Sequence, residues 1–166
     1  PQSTSPQRGA SMAMPTSSLS SIVQPSTVTF NTLMAACVRA GDSAGAVHLF
    51  QRMTQSTAHP DHHSYVVLMQ ALLRRRNVDA MQRVFRNMKQ DPRVKVGAGA
   101  YNVVLEGLLR AERAGEAEAL LAEMRAGGVA PNRGTFGAVI KAELRAGQVH
   151  AALAACREAA RHSVEV

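Results

Sequence analysis

The sequence predicts an all-α fold, an α-solenoid of about four helix-turn-helix repeats of 35 residues. Aromatic residues at Phe30, Tyr65, Tyr101 and Phe136 recur at intervals of 35, 36 and 35 residues. Behind each runs an apolar ladder at helical spacing, as in Phe30, Leu33, Met34, Cys37 and Val38. Whole columns then agree in register: Leu33, Leu68, Val104 and Val139; Met34, Met69, Leu105 and Ile140. Six residues after each aromatic stand only small side chains, Ala36, Ala71, Gly107 and Ala142. A second helix repeats as well, with Phe50, Phe85, Leu121 and Cys156 in one column and Met53, Met88, Met124 and Ala159 in another. Hairpins that recur in this way bury their apolar faces on their neighbours.

Residues 1–26 are rich in Ser, Pro, Thr and Gln and contain no acidic residue. They are expected to form a disordered low-complexity tail or linker, too polar to bury a core. The remnant of an organellar targeting segment would share that composition but carry more arginine than the single Arg8. Repeat 1, residues 27–61, joins a helix from Phe30 to a second one capped at Asp42 or Ser43 after Gly41, and Pro60 closes it. Repeat 2, residues 62–97, has Arg76 and Asn77 where the turn glycine is expected; Asn77 either caps the second helix or takes the left-handed turn. Its linker, DPRVKVGAGA, is one residue longer and reads as a flexible connection. Repeat 3, residues 98–132, carries Arg-Ala-Gly near its turn and closes on Pro131-Asn132. Repeat 4, residues 133–166, ends in the Ala-rich HAALAACREAARH, without the polar outer face of a terminal repeat. An excerpt of a longer chain, an end docked on a partner and a genuine terminus all fit that ending.

The formal charge of +7, with 16 of the 19 basic residues being Arg, calls for an acidic partner. Cys37 and Cys156 fall at apolar helix positions, which predicts buried free thiols in a reducing compartment. No apolar run reaches the length of a membrane span, and neither a membrane nor a small-molecule substrate is expected. His59, Asp61, His62 and His63 cluster in a loop that fixes no ligand geometry, so a solvated loop is the better reading than a metal site. Gly97 and Gly99 lack the preceding strand and the Gly-Lys-Ser/Thr of a phosphate loop. No nucleophile-base spacing, paired carboxylates or Cys-x-x-Cys stands out. Catalytic residues, metals and cofactors are therefore not expected.

A surface remains. Positions one, five and nine after each aromatic share a helix face. Position one holds Asn31, Val66, Asn102 and Gly137; position nine holds Arg39, Arg74, Arg110 and Arg145. An arginine in a last helical turn complements the helix dipole, and that accounts for one or two of them. All four in register, on the face that bears the asparagines, point to phosphate groups.

Two stretches, VTFNTLMAACVRAGDSAGAVHLFQRM and AYNVVLEGLLRAERAGEAEALLAEMRAGGVAPN, resemble pentatricopeptide repeats. The shared features are the aromatic-Asn pair, the small residue six positions on, the Arg-Ala-Gly at the inter-helix turn, the late Met, and the closing Pro-Asp or Pro-Asn. The resemblance covers residues 27–166, while the early Trp-Leu-Gly of tetratricopeptide repeats is missing from a chain without Trp. It implies a right-handed α-solenoid in an organelle, mitochondrion or chloroplast, with the mitochondrion slightly ahead. It also implies that each repeat reads one base of single-stranded RNA with the residue after the aromatic and the last residue of the repeat. Carried onto this chain, Asn31 with Asp61 would read uracil and Asn102 with Asn132 a pyrimidine, with Val28 as the apolar wedge. Val66 with Gly97, and Gly137, offer no polar pair; at the wedge position His63 would stack, while Gly99 and Gly134 offer no wedge. Two functions stay open: an RNA-binding module for mRNA or rRNA, gripping phosphates with limited base selectivity within a ribosome or another ribonucleoprotein, and a protein-interaction scaffold.

Overall fold

The computed structural model describes residues 25–164, with side chains through residue 161; all but the last two residues of the expected tail lie outside them. Eight helices follow in order: α1 (Thr27–Ala40), α2 (Ser43–Thr54), α3 (His62–Arg74), α4 (Val78–Gln90), α5 (Ala98–Arg110), α6 (Ala114–Ala126), α7 (Arg133–Arg145) and α8 (Val149–Val164). The described residues contain no strand. Each odd-numbered helix packs on the next, α1 on α3, α3 on α5 and α5 on α7. Among the described residues the even-numbered helices do not bring their backbones together. Tight packing in one layer and wide spacing in the other bends the array, so the odd helices line its concave side.

Long side chains bridge the outer layer instead. Lys89 donates to Glu123 at 2.8 Å, Arg113 to Asp79 at 2.7 Å and Arg125 to Glu158 at 2.8 Å. These pairs are largely solvent-exposed and add little stability each. They do fix how neighbouring hairpins lie on one another.

The turn inside every hairpin places one residue in the left-handed region: Gly41 (φ 84°), Arg76 (φ 55°), Glu112 (φ 59°) and Gly147 (φ 74°). Asn77 is the cap of α4, accepting from the Ala80 amide at 3.1 Å, and Arg76 takes the left-handed position. In repeat 3 that position belongs to Glu112; the Gly115 of its Arg-Ala-Gly lies inside α6. A left-handed non-glycine residue costs about 1–2 kcal/mol. Arg76→Gly and Glu112→Gly are therefore each expected to stabilise the fold by about 0.5–1 kcal/mol after the entropy of glycine is counted, read as a higher Tm.

The core runs along the seam between the layers and is rich in methionine, with Met34, Met53, Met69, Met81, Met88 and Met124 all fully buried. Aromatic columns interlock between hairpins. The Phe50 ring meets Tyr65 edge-on at 5.4 Å, and Phe85 meets Tyr101 at 5.0 Å. The small-residue column serves the same interface: a Cβ on Gly107 would stand 2.2 Å from Met81 Cε, across from α4. Ala71 is buried in the same way, whereas Ala36 is exposed, because no described hairpin precedes α1.

Three expectations change. Cys37 is half-buried but Cys156 is exposed, since α8 packs on α7 alone. The linker after α4 is tied rather than loose: Asp91 pairs with Arg93 at 3.0 Å, Val94 is buried, and α5 already begins at Ala98, which puts Gly99 inside the helix. Third, the hairpin interfaces are unequal. α2 packs on α3 and α4 on α5, but α6 and α7 have no close backbone approach, so the last hairpin rests on α5 and on the Arg125–Glu158 bridge. No helix of the described residues is long and apolar enough to cross a membrane.

Candidate nucleic-acid interface

The residue that closes one repeat is also the N-cap of the next odd helix. Asp61 caps α3, its Oδ1 accepting from the Ser64 amide at 2.8 Å, while Ser64 Oγ accepts in return from the Asp61 amide. Asn132 caps α7 in the same reciprocal way with Thr135. Into each cap reaches the residue that follows the preceding aromatic. Asn31 Nδ2 donates to Asp61 Oδ1 at 3.0 Å, and Asn102 Nδ2 donates to Asn132 Oδ1 at 3.0 Å. The asparagine oxygens accept in turn, from Ser64 Oγ at 2.7 Å and from Thr135 Oγ1 at 2.6 Å. The structure thus brings Asn31 to Asp61 and Asn102 to Asn132, as two copies of one network.

Ser64 and Thr135, buried members of that network, went unnoticed in the sequence. Their signal was available: each lies three residues after an Asp or Asn cap, the spacing of a capping box. Gly134 also acquires a reason. A Cβ there would stand 2.6 Å from Asn102 Nδ2, so a wedge side chain at this position would push the amide from its partner.

The networks fix which polar atoms are spent. Asp61 Oδ1 is saturated, while Oδ2 and the second Asn31 N–H have no hydrogen-bond partner among the described residues. Burial raises the Asp61 carboxyl, but the bonds from the Ser64 amide and the Asn31 amide, with the nearby His63, outweigh it and leave its pKa below the ordinary carboxylate value. With a depressed pKa, its stabilisation is present above the ordinary carboxylate range and lost only as pH falls through it. At neutral pH it is an acceptor alone. At Asn132 the oxygen is occupied by the Gly134 and Thr135 backbone amides and the Asn102 side-chain amide, so the amide Nδ2 is the free end, a donor alone.

Arg74, Arg110 and Arg145 line one open groove of about 2540 Å³ on the concave side, together with Gln70, Asn102, Glu106, Asn132, Gly137 and Lys141. Positions five and nine of α3, α5 and α7 therefore share that wall. Arg39 is exposed in the last turn of α1 and stands outside the groove. Arg74 has no acidic partner among the described residues, whereas Arg110 is paired with Glu106. Val28 is 72% exposed beside the Asn31 network. No group of described His, Cys, Asp or Glu residues is arranged to hold a metal ion.

The PPR repeat family profile matches residues 25–74 and 97–145, and the PPR repeat profile matches residues 63–92. A chloroplastic pentatricopeptide repeat-containing protein of Arabidopsis thaliana is 33% identical over 117 residues, 70% of this chain and 15% of that protein. A mitochondrial one from the same plant is 26% identical over 117 residues, 70% of this chain and 19% of that protein. The chain thus spans under a fifth of the length of these curated relatives. In structure it is similar to the maize pentatricopeptide repeat protein PPR10 in complex with an 18-nt psaJ RNA element, with a TM-score of 0.78, 21% identity, and coverage of 87% of this chain and 21% of that one. Profile matches across all of the first three hairpins and into the fourth, on a fold of the same kind, show that the chain belongs to the pentatricopeptide repeat family.

Proposed function

We propose that the chain is an RNA-binding module of an organelle, mitochondrion or chloroplast, working within a ribonucleoprotein and holding single-stranded RNA along its concave side. One observation carries the reading: two copies of a rigid Asn-cap network, one of them on the wall of the groove that also holds the position-nine arginines of α3, α5 and α7. The relatives are named for both organelles, and the PPR10 structure with RNA supports the choice of ligand.

The chemistry of each network sets its preference. Uracil presents N3–H beside a carbonyl; the first donates to Asp61 Oδ2 and the second accepts from the free Asn31 N–H, with Val28 against the ring. Asn102 and Asn132 offer donors, which suit the N3 and O2 acceptors of cytosine. The arginines supply charge without sequence. If three or four of them each neutralise a phosphate, log affinity should fall against log salt with a slope of roughly −2 to −3. Arg74→Ala, which disturbs no ion pair, should reduce that slope by about 0.7 and weaken all sequences alike. A flat salt dependence in filter or anisotropy binding overturns the RNA reading.

A further inference from the structure

Between α3 and α5 the polar network is gone. In place of Asn31, Asp61 and Ser64 stand Val66, Gly97 and Ala100. Gly97 caps α5 without a side chain, and Gly99 occupies the position that Val28 holds in α1. A histidine lies against this gap. His62 is one helical turn before Val66, so the two share a face of α3. Its ring borders both glycines: a Cβ on Gly97 would be 3.4 Å from Cε1, and one on Gly99 would be 3.8 Å from Nε2.

The ring is also anchored. His62 Nδ1 is 3.0 Å from the Lys95 carbonyl oxygen. A carbonyl only accepts, so Nδ1 carries the proton and Nε2 of the neutral ring is an acceptor. No described residue bonds to Nε2. Thr27, the matching residue of α1, makes the same kind of tie, donating to the His59 carbonyl at 2.9 Å, but its side chain ends there. The imidazole continues past its anchor into the space the two glycines leave.

We propose that His62 is the base-contacting residue of the second repeat, holding the nucleotide for which Val66 and Gly97 offer no polar group. This rests on the RNA reading above. The ring face provides a stacking surface, which favours a purine over uracil, and Nε2 accepts from an N–H on the edge of the base.

The test uses the full chain and single-stranded oligonucleotides that vary only at the nucleotide next to the uracil held by Asn31 and Asp61. A purine there should bind about fivefold more tightly than uracil, because its larger ring system covers more of the imidazole face. His62→Asn keeps a donor for the Lys95 carbonyl and removes the stacking ring; it should abolish that preference while leaving the melting temperature and the selection of the neighbouring uracil unchanged. Independently of any variant, the His62 ring signals in a proton NMR titration should move as the oligonucleotide is added. The proposal is overturned if His62→Asn retains the preference, if the ring signals stay fixed, or if the wild type discriminates at the first nucleotide but not at the second. His62 is then a loop anchor only. Absence of binding to every oligonucleotide would instead remove the RNA reading along with it.

Discussion

Phe85→Ala should lower the unfolding free energy by about 3–5 kcal/mol, the range for truncating a buried aromatic residue. Phe85 is nearly inaccessible, stands edge-on to Tyr101 at 5.0 Å, and has Lys89 Nζ over its face at 5.0 Å. Solenoid stability is approximately a sum of repeat and nearest-neighbour terms, so the loss falls on one interface, that of the second and third hairpins. Urea denaturation followed by hydrogen exchange should show protection failing there first. Leu121→Ala makes the matching exchange one repeat later, at a half-buried site where α6 and α7 do not meet. It should cost no more than about 1–2 kcal/mol, because less apolar area leaves water. Equal losses at the two sites would mean that the core does not end where the packing says it does.

Asn31→Val should remove the preference for uracil at one nucleotide, worth about 1–3 kcal/mol by analogy with groove readout in DNA. The exchange copies the residue found at Val66 and leaves every arginine in place. It is not silent for the fold, however. Asn31 is 7% exposed and joins Asp61 to Ser64, so its loss should also cost about 1–2 kcal/mol of stability. Competition among oligonucleotides below the melting temperature separates the two effects, and the salt slope should not change. A wild-type module that prefers no base at that nucleotide would leave the networks as caps alone.

The repeat was legible because a solenoid writes the same contact four times. A column such as Met34, Met69, Leu105 and Ile140 announces itself where a single buried methionine would not. The pairing of Asn31 with Asp61 follows from a resemblance, and the shared capping network is what brings the two side chains together. What stayed hidden was backbone or context. Glu112 takes a glycine conformation that no propensity suggests, although counting eleven residues from each aromatic leads to it. Cys156 reads as apolar and interior, yet whether it is covered depends on what packs against α8. Gly134 looked like a missing wedge; its meaning lies in Asn102, thirty-two residues away in sequence and in contact in space.

Asp61 and Asn132 each begin a helix, and in the proposed RNA reading each also presents an edge for a base. Such a position is bound by two grammars at once. Side chains that start helices well form a short set, chiefly Asn, Asp, Ser and Thr, and an alanine at these sites would weaken α3 or α7 by about 1 kcal/mol. The set also spans the useful range of hydrogen-bonding character, from a carboxylate that only accepts, through an amide with its donor end free, to a hydroxyl that does either. On that reading, a lineage can change the letter read at residue 61 or 132 without weakening the fold, so long as it draws from that alphabet. At Gly97, where the start of α5 carries no side chain, it has left the alphabet, and the letter has to be written from somewhere else.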